Sequence, residues 1–577
     1  MMHSKTIRAG LIGTTAAILA AWPATAAAAA PAGSADCTAL GKTMAWPEPG
    51  TRVVTAAWHE AGPAPTPPMM PGMPPMPPIT LPAHCEIVGS MHERTGVDGQ
   101  HYAIRFHLRL PVPWNGKFFM QGGGGTNGEL GDAIGRMGAA PPALVAGYAV
   151  LSQDSGHDNA TNTVPERGGA SAFGFDPQAR ADYGGASLPP TVNAAKAAVR
   201  RFYGRTPEKS YFVGCSKGGQ EGMMAATHYP DLFDGIVAGA PGFALPRAAI
   251  AEMWDTQTIG NVVREEHQPL TQQMLSQSFS PGDFALVGQA ILAACDKDDG
   301  VADGMVGAFT QCTSEKVMPQ LKQRACAGGK QEGCLSLKQI YALSNVHNGA
   351  RTIKEKPLYA RFFWDAGWAD PGWRIWKIGM GPVPSINVMM GAPSLAAIFT
   401  TPPTGLPDAF QAKLDYAMAF DFNTDPQRIY AKGKGFPRSA WQDIGGARDA
   451  DLSAFSKRGG KLIVTQGVSD PVFSLADTID WYASLDARTG RQAARFARLF
   501  PVPGMGHCQG GPATDGFDAF AALVNWVEQA QAPDRIEAKA GPGSPWPGRT
   551  RPLCAFPKTA RYNGSGSIEQ AANFTCS

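Results

Sequence analysis

The pattern of a strand, a sharp turn and a helix start is found in Lys209-Ser210-Tyr211-Phe212-Val213-Gly214-Cys215-Ser216-Lys217-Gly218-Gly219-Gln220-Glu221-Gly222. Its aromatic and β-branched residues are typical of a buried strand. Gly214 and Gly218 flank Ser216, and only small neighbours allow a turn tight enough to expose a side chain above a sheet. The pattern predicts a nucleophile elbow with Ser216 at its apex. In a chain with 68 glycines this motif is weak evidence alone, so partner residues are needed.

Two later loops supply candidate partners. Asp470 follows the predicted strand 459–466, and His507 follows the predicted strand 497–500. Serine, acid and histidine in this order, each directly after a core strand, are typical of α/β-hydrolases. His507 would take the serine proton and Asp470 would fix the imidazole tautomer. The alternatives are a turn-forming aspartate before a proline and a structural histidine in a glycine-rich turn.

The surrounding pattern alternates strands with helices. Strands are predicted at 102–110, 117–120, 149–152 and 233–239, and helices at 190–203 and 475–485. This alternation predicts an α/β core with a mostly parallel sheet. The tract from Gly62 to Pro82 is rich in proline and methionine and is predicted to be a surface loop.

The alternation of strands and helices is found in two core segments, 31–242 and 448–577. The segment between them, 243–447, has mixed helical pieces, loops and many aromatic residues instead. The middle segment holds six of the 13 tryptophans, at positions 254, 364, 368, 373, 376 and 441. These residues could form a second small core, or a lid that lines a pocket for an aromatic group. Both interpretations stay open because a lid also needs a core.

Length and composition exclude some classes of function. A chain of 577 residues with 44% hydrophobic content can bury a large core and exceeds one typical domain. The net charge of +2 with 17% charged residues gives no indication of a nucleic-acid partner. We expect a monomer that acts on a small molecule.

The N-terminus has the pattern of a secretory signal peptide at residues 1–30. Lys5 and Arg8 precede an apolar run from Ala9 to Trp22, and small residues follow with cleavage expected within 26–30. The alternative is a membrane anchor, but the apolar run is short for a bilayer. We therefore expect a secreted or periplasmic protein without a membrane anchor.

The glycine-rich loop from Gly122 to Gly128 formally contains the dinucleotide-binding pattern G-x-G-x-x-G. The loop follows a predicted strand and precedes the serine elbow, where a hydrolase uses backbone N–H groups to bind an oxyanion. We therefore favour an oxyanion role over a dinucleotide site.

Ten cysteines in an exported chain predict disulfide bonds, but spacing alone does not give their connectivity. Cys215 directly precedes Ser216 and Cys508 directly follows His507. A bond between these two cysteines would bring their Cα atoms within about 7 Å. The serine and the histidine would then be neighbours, unless each cysteine pairs elsewhere.

Gly214-Cys215-Ser216, a distant aspartate and His507-Cys508 together resemble the tannase and feruloyl esterase family, in particular the bacterial branch that includes a mono(2-hydroxyethyl) terephthalate hydrolase. The resemblance implies a serine esterase with an α/β-hydrolase fold and a large lid inserted in the C-terminal half of the core. It implies that the N–H groups of Gly125 and Lys217 bind the oxyanion. The implied disulfides are Cys37–Cys85, Cys215–Cys508, Cys295–Cys312, Cys326–Cys334 and Cys554–Cys576.

The segment from Cys295 to Met305 contains four aspartates, which suits calcium better than zinc. It lacks the glutamate that closes an EF-hand loop. The resemblance implies a structural Ca²⁺ held by the side chains of Asp296, Asp299 and Asp303 and by the carbonyls of Val301 and Met305. The alternative is a solvated acidic loop.

The resemblance also bears on the substrate. Trp376, Phe473 and Leu245 match residues that line the family's pocket. The terephthalate-specific branch uses an arginine and a phenylalanine at positions that correspond here to Ile386 and Met390, so the arginine is absent. Loss of a charge-assisted contact disfavours a carboxylate substrate and favours feruloyl or galloyl esters.

The remaining alternatives are hydrolysis of mono(2-hydroxyethyl) terephthalate, non-catalytic binding of an aromatic ligand, and secreted peptidase activity.

Overall fold

The computed structural model describes residues 33–64, 78–137, 140–265, 268–449 and 451–577. The predicted signal peptide and most of the proline- and methionine-rich tract lie outside these residues. The strands are β1 (Arg52–His59), β2 (Gly62–Pro63), β3 (Thr80–Leu81), β4 (Ala83–Thr95), β5 (His101–Val112), β6 (Lys117–Gln121), β7 (Ala149–Gln153), β8 (Lys209–Cys215), β9 (Gly235–Gly239), β10 (Lys461–Gly467), β11 (Ala497–Val502), β12 (Gly516–Phe517), β13 (Arg535–Lys539), β14 (Thr550–Cys554), β15 (Ala560–Tyr562) and β16 (Phe574–Cys576).

The α-helices connect and cover these strands. They are α1 (Ser34–Thr43), α2 (Pro177–Ala181), α3 (Leu188–Tyr203), α4 (Lys217–His228), α5 (Leu245–Gly260), α6 (Gln272–Gln277), α7 (Pro281–Cys295), α8 (Ser314–Gln323), α9 (Leu337–Asn348), α10 (Pro371–Lys377), α11 (Phe410–Ala419), α12 (Ala440–Ile444), α13 (Ser453–Lys457), α14 (Leu475–Arg488) and α15 (Ala519–Gln529). Short π-helical segments occur at Asp182–Ala186, Asn387–Gly391 and Ser394–Ile398.

A nine-stranded sheet organises the molecule, in the order β1-β4-β5-β7-β6-β8-β9-β10-β11. The six strands from β7 to β11 run parallel to one another, and β1, β4 and β5 pair antiparallel at one edge. The parallel strands are almost wholly buried because helices cover both faces. The prediction of a mixed α/β core with a mostly parallel sheet is confirmed.

Parallel strands end at a common edge of the sheet, which brings distant loops together. The loops after β8, β10 and β11 follow three neighbouring or nearly neighbouring strands, so the candidate residues that they carry meet at this edge.

Residues 240–460, which we call the inserted segment, run between β9 and β10 and consist mainly of helices and turns.

The tryptophans of the inserted segment divide between the two roles that the sequence left open. Trp364, Trp368 and Trp373 are buried and pack against one another in series, with ring centroids 4.7 and 5.0 Å apart. These rings form part of a core. Trp376 instead lines a cavity beside Ser216.

All ten cysteines are paired, and the pairs are those that the resemblance implied: Cys37–Cys85, Cys215–Cys508, Cys295–Cys312, Cys326–Cys334 and Cys554–Cys576. Five disulfides indicate an extracytoplasmic protein. Within the described ranges, no helix has the length and apolar character needed to cross a bilayer.

Candidate active site

Ser216 lies at the turn between β8 and α4 with a positive φ of +62° and a ψ of −120°. The turn needs glycine on both sides because there is no room for side chains. A Cβ on Gly214 would come 2.6 Å from the backbone of Gly218, and one on Gly218 would come 2.6 Å from the carbonyl oxygen of Gly123. The strained turn presents the Ser216 hydroxyl above the sheet edge, as the sequence predicted.

The three candidate catalytic residues form one hydrogen-bonded chain. The Ser216 Oγ lies 2.9 Å from Nε2 of His507, and Nδ1 of His507 lies 3.1 Å from Oδ2 of Asp470. With its proton on Nδ1, the imidazole donates to the carboxylate and accepts from the serine hydroxyl. This is the arrangement that a histidine base needs to activate a serine.

Backbone groups hold the Asp470 carboxylate in place. Asp470 is buried, and its Oδ1 accepts hydrogen bonds from the N–H groups of Val472 and Phe473 at 2.9 and 3.1 Å. These bonds leave Oδ2 directed to the imidazole. The Asp470 side chain therefore has the fixed orientation that is required to select one tautomer of His507.

The disulfide between Cys215 and Cys508 lies directly beside this chain. The Cα atoms of the two cysteines are 6.1 Å apart although 293 positions separate them in the sequence. Each cysteine is adjacent to a candidate catalytic residue, so the bond ties the serine turn to the histidine loop covalently.

The glycine-rich loop packs against the serine turn through Glu221 of α4. The Glu221 carboxylate accepts from the Gly123 N–H at 3.0 Å and from the Asn127 amide at 2.8 Å, and it lies 3.2 Å from the Lys217 ammonium. Burial raises the pKa of Glu221, but the Lys217 charge and these hydrogen bonds outweigh it and lower the pKa overall. A fully buried carboxylate thus fixes the loop beside Ser216.

This packing speaks against a dinucleotide site in the glycine-rich loop. The dinucleotide fold requires a helix to start directly after the glycines. In the described residues from 121 to 137 no helix begins.

The two candidate oxyanion residues lie on the same cavity as Ser216. Gly125 has a φ of +56°, and Lys217 is the first residue of α4, so its N–H has no acceptor within the helix. Both backbone groups belong to segments that Glu221 holds together. Their assignment as oxyanion donors stays a prediction.

An open cavity adjoins Ser216. The four predicted substrate-binding residues Leu245, Trp376, Met390 and Phe473 all line it, whereas Ile386 does not belong to its lining. The rings of Trp376 and Phe473 each lie 5.3 Å from the His507 ring and nearly perpendicular to it. The cavity is therefore apolar next to the candidate base, which suits an aromatic acyl group.

Sequence reasoning missed several buried charged residues around this site. Asp365 contacts the loops that carry Asp470 and His507. Lys377 bonds both Asp255 and the carbonyl of Pro471, the residue after Asp470. Glu252 lines the cavity. In the sequence each of these three residues has an apolar neighbour on both sides. A single charge in an apolar stretch was therefore the only local signal of a special role.

The acidic loop of residues 296–305 carries the carboxylate and carbonyl oxygens that calcium prefers. Burial and the carboxylates of Asp303 and Asp296 raise the pKa of Asp299 to about 7, whereas Asp303 forms an ion pair with Arg551. In the part of the chain that the structure describes, no group of three or more His, Cys, Asp or Glu side chains is arranged to hold a metal ion. The calcium site stays a prediction.

Comparisons with known proteins agree with this geometry. The family model described as tannase and feruloyl esterase matches residues 85–577. Mono(2-hydroxyethyl) terephthalate hydrolase of Piscinibacter sakaiensis is 43% identical over 94% of this chain and 92% of its own length. The solved structure of feruloyl esterase B from Aspergillus oryzae has the same fold, with a TM-score of 0.71 over 94% of this chain and all of its own, at 21% identity. The chain therefore belongs to the tannase and feruloyl esterase family and is a carboxylic ester hydrolase.

Proposed function

We propose that this enzyme hydrolyses esters of hydroxylated aromatic acids, of the feruloyl or galloyl type, through an acyl-enzyme on Ser216. The observation that supports this most is the serine–histidine–aspartate chain beside an apolar cavity with two aromatic rings around the histidine. The protein is proposed to be secreted or periplasmic and monomeric.

The mechanism follows from the side chains in the site. Ser216 Oγ attacks the ester carbonyl while His507 Nε2 takes its proton, and Asp470 stabilises the imidazolium. The N–H groups of Gly125 and Lys217 bind the oxyanion. His507 then protonates the leaving alcohol and activates a water molecule, which releases the acid from Ser216.

The charges of the cavity support the choice of acyl group. Lys217 is the cationic residue among the described lining residues, and its ammonium is paired with Glu221 and lies over the ring of Tyr183. Met390 occupies a position where the terephthalate-specific branch carries a substrate-binding side chain. A terminal carboxylate on the acyl group would thus find no unpaired cation in this lining.

A second candidate is hydrolysis of mono(2-hydroxyethyl) terephthalate. The relative with that name is 43% identical to this chain over nearly its whole length, and this identity favours a shared substrate. The two candidates differ in the ring substituents of the acyl group, which are hydroxyls in one and a carboxylate in the other, and a feruloyl group also has a vinyl spacer. They are therefore separated by kcat/KM values measured side by side.

The experiment is a panel of methyl ferulate, methyl gallate and mono(2-hydroxyethyl) terephthalate with the wild type and Ser216→Ala. We expect the two methyl esters to have the higher kcat/KM, and Ser216→Ala to lower kcat by roughly 10⁴-fold or more. A higher value for the terephthalate monoester would overturn the substrate class, and a fully active Ser216→Ala would overturn the mechanism. A burst of product from an aryl ester excludes a binding protein, and an undigested casein sample excludes a peptidase.

We further propose that the loop with Asp296, Asp299 and Asp303 binds a structural Ca²⁺, together with the carbonyls of Val301 and Met305. Its support is the family resemblance and the oxygen-rich donor set. EDTA is then expected to lower the Tm of the wild type, with recovery on added Ca²⁺, and to have little effect on Asp299→Asn. An equal Tm with and without EDTA would contradict the proposal.

A further inference from the structure

One carboxyl group of the cavity has no role in the mechanism above. Glu252 lines the cavity that adjoins Ser216 and is 7% exposed. Its carboxyl oxygens make no hydrogen bond to a described residue, whereas its backbone carbonyl accepts from the Thr256 hydroxyl. The carboxyl oxygens are reached from the cavity, where a bound ligand can supply the hydrogen-bond partner that the protein does not.

Helix α5 places this carboxyl at a distance from the serine. Leu245, Ala248, Ala249 and Glu252 follow the spacing of one helical face, and all four line the cavity. The Ser216 carbonyl accepts from the Gly242 N–H just before the helix begins. Glu252 lies seven residues beyond Leu245, about 10 Å along the helix axis. The carboxyl group therefore faces the far part of an acyl group bound at Ser216.

A second segment of the cavity wall contacts the same carboxyl group. Helix α5 packs against the π-helical segment Asn387–Gly391. A Cβ on Gly391 would come 1.8 Å from Glu252 Oε2, so the carboxyl group occupies the space that a side chain at position 391 would fill. This close contact limits the positions open to the Glu252 side chain.

Burial keeps Glu252 largely protonated at neutral pH. Burial raises its pKa to about 8, with an opposing contribution from Lys377 and a further increase from Asp255. Lys377 does not neutralise Glu252 because its ammonium bonds Asp255 and the Pro471 carbonyl. A protonated carboxyl group offers one O–H donor and a carbonyl acceptor.

We propose that Glu252 determines acyl specificity by hydrogen-bonding a ring hydroxyl of the aromatic acyl group. The phenolic O–H donates to the Glu252 carbonyl oxygen, or the Glu252 O–H donates to the phenolic oxygen. Feruloyl and galloyl groups carry such hydroxyls. A terephthaloyl group brings a carboxylate instead, and its charge would lie in a cavity whose one described cation, Lys217, is already paired with Glu221. This inference rests on the proposed function and gives it a recognition element.

The test compares esters that differ only in ring hydroxyls: methyl p-coumarate against methyl cinnamate, and methyl gallate against methyl benzoate. The readout is the ratio of kcat/KM within each pair for the wild type, Glu252→Gln and Glu252→Leu. Sites that hydrogen-bond a substrate hydroxyl discriminate strongly against analogues without it. We expect at least one wild-type ratio above about 10, a fall of at least tenfold in Glu252→Leu, and an intermediate value in Glu252→Gln.

Glu208→Gln is the matched control, since it removes a carboxylate at an exposed position remote from the cavity. Its ratios should equal those of the wild type. Ratios in Glu252→Leu that match the wild type, in protein with a cooperative thermal transition, would overturn the inference. Wild-type ratios near one for both pairs would overturn it too. If the enzyme still releases p-nitrophenol from an aryl ester in either case, the serine mechanism stands and only the role of Glu252 is lost.

Discussion

Ser469 donates its hydroxyl to Oδ1 of Asp365 at 2.6 Å, which joins the inserted segment to the loop that carries Asp470. The other Asp365 oxygen accepts from the N–H of Gly504, in the loop that leads to His507. Asp365 is fully buried. One carboxyl group of the inserted segment thus holds both the acid loop and the histidine loop.

Replacement of Asp365 by alanine should lower both stability and kcat. The change leaves the Ser469 hydroxyl and two backbone N–H groups buried without an acceptor, at a cost of about 1–3 kcal/mol for each group. We expect a lower Tm and a larger fall in kcat than rise in KM, because Asp365 does not line the cavity. Thermal unfolding and steady-state kinetics measure the two effects.

Asp365→Asn provides the comparison for this prediction. Its amide keeps one acceptor oxygen, so its Tm and kcat should lie between those of the wild type and Asp365→Ala. An Asp365→Ala enzyme with wild-type kcat would show that the two loops keep their positions without this contact.

Removal of the Cys215–Cys508 disulfide should reduce activity and stability more than removal of Cys326–Cys334. Closure of a 293-residue loop is worth about 5–6 kcal/mol by chain entropy, and closure of an 8-residue loop about 2.5 kcal/mol. Only the first bond also joins the serine turn to the histidine loop. The Tm and kcat of the two double alanine variants test this ranking, and a reversed order would contradict it.

The elements with a strong local pattern could be predicted from the sequence. The strand before Ser216 and the helix that starts at Leu475 lie within a few residues of their predicted bounds, since apolar periodicity and glycine positions are local signals. Strand β1 could not be predicted in this way. Its residues are exposed or half-buried without regular alternation, and it is held by pairing with β4.

The candidate site divides in the same way. Ser216, Asp470 and His507 could be predicted because each follows a recognisable strand and their order is typical of hydrolases. Asp365 and Glu252 could not, since their environment depends on tertiary neighbours. Asp365 contacts a hydroxyl 104 positions away, and Glu252 faces a wall formed by residues near Gly391.

Replacement of Met390 by arginine should shift the enzyme towards a carboxylate substrate. Met390 lines the cavity and is 38% exposed, so a longer cationic side chain has room there. A hydrogen bond between an arginine and a carboxylate contributes about 1.5–3 kcal/mol. We expect the kcat/KM for mono(2-hydroxyethyl) terephthalate, divided by that for methyl ferulate, to rise at least about tenfold.

Met389→Arg is the matched control for this change, because Met389 is also 38% exposed but does not line the cavity. Its ratio should stay near the wild-type value. An equal rise in both variants would indicate a general effect of added positive charge and would contradict a specific contact at position 390.

The free energy of unfolding should depend on pH through Glu252. Burial raises the pKa of this carboxyl from 4.5 to about 8 in the folded protein. Between these values the folded protein keeps a proton that the unfolded chain releases, so the contribution of Glu252 to stability is greatest below about pH 4.5 and falls as pH rises to about 8. Glutamine at this position has no proton to lose. The Tm of Glu252→Gln minus that of the wild type should therefore increase from pH 5 to pH 8 and level off above about pH 9.

Thermal unfolding across this pH range measures the difference, with Glu208→Gln as the exposed counterpart. Glu208 lies at the surface beside Arg205, so its substitution should give a nearly constant Tm difference. A constant difference for Glu252→Gln as well would mean that Glu252 is ionised throughout. The Glu252 O–H would then be absent at neutral pH, and only the carboxylate oxygens would remain to accept a hydrogen bond from a phenolic hydroxyl.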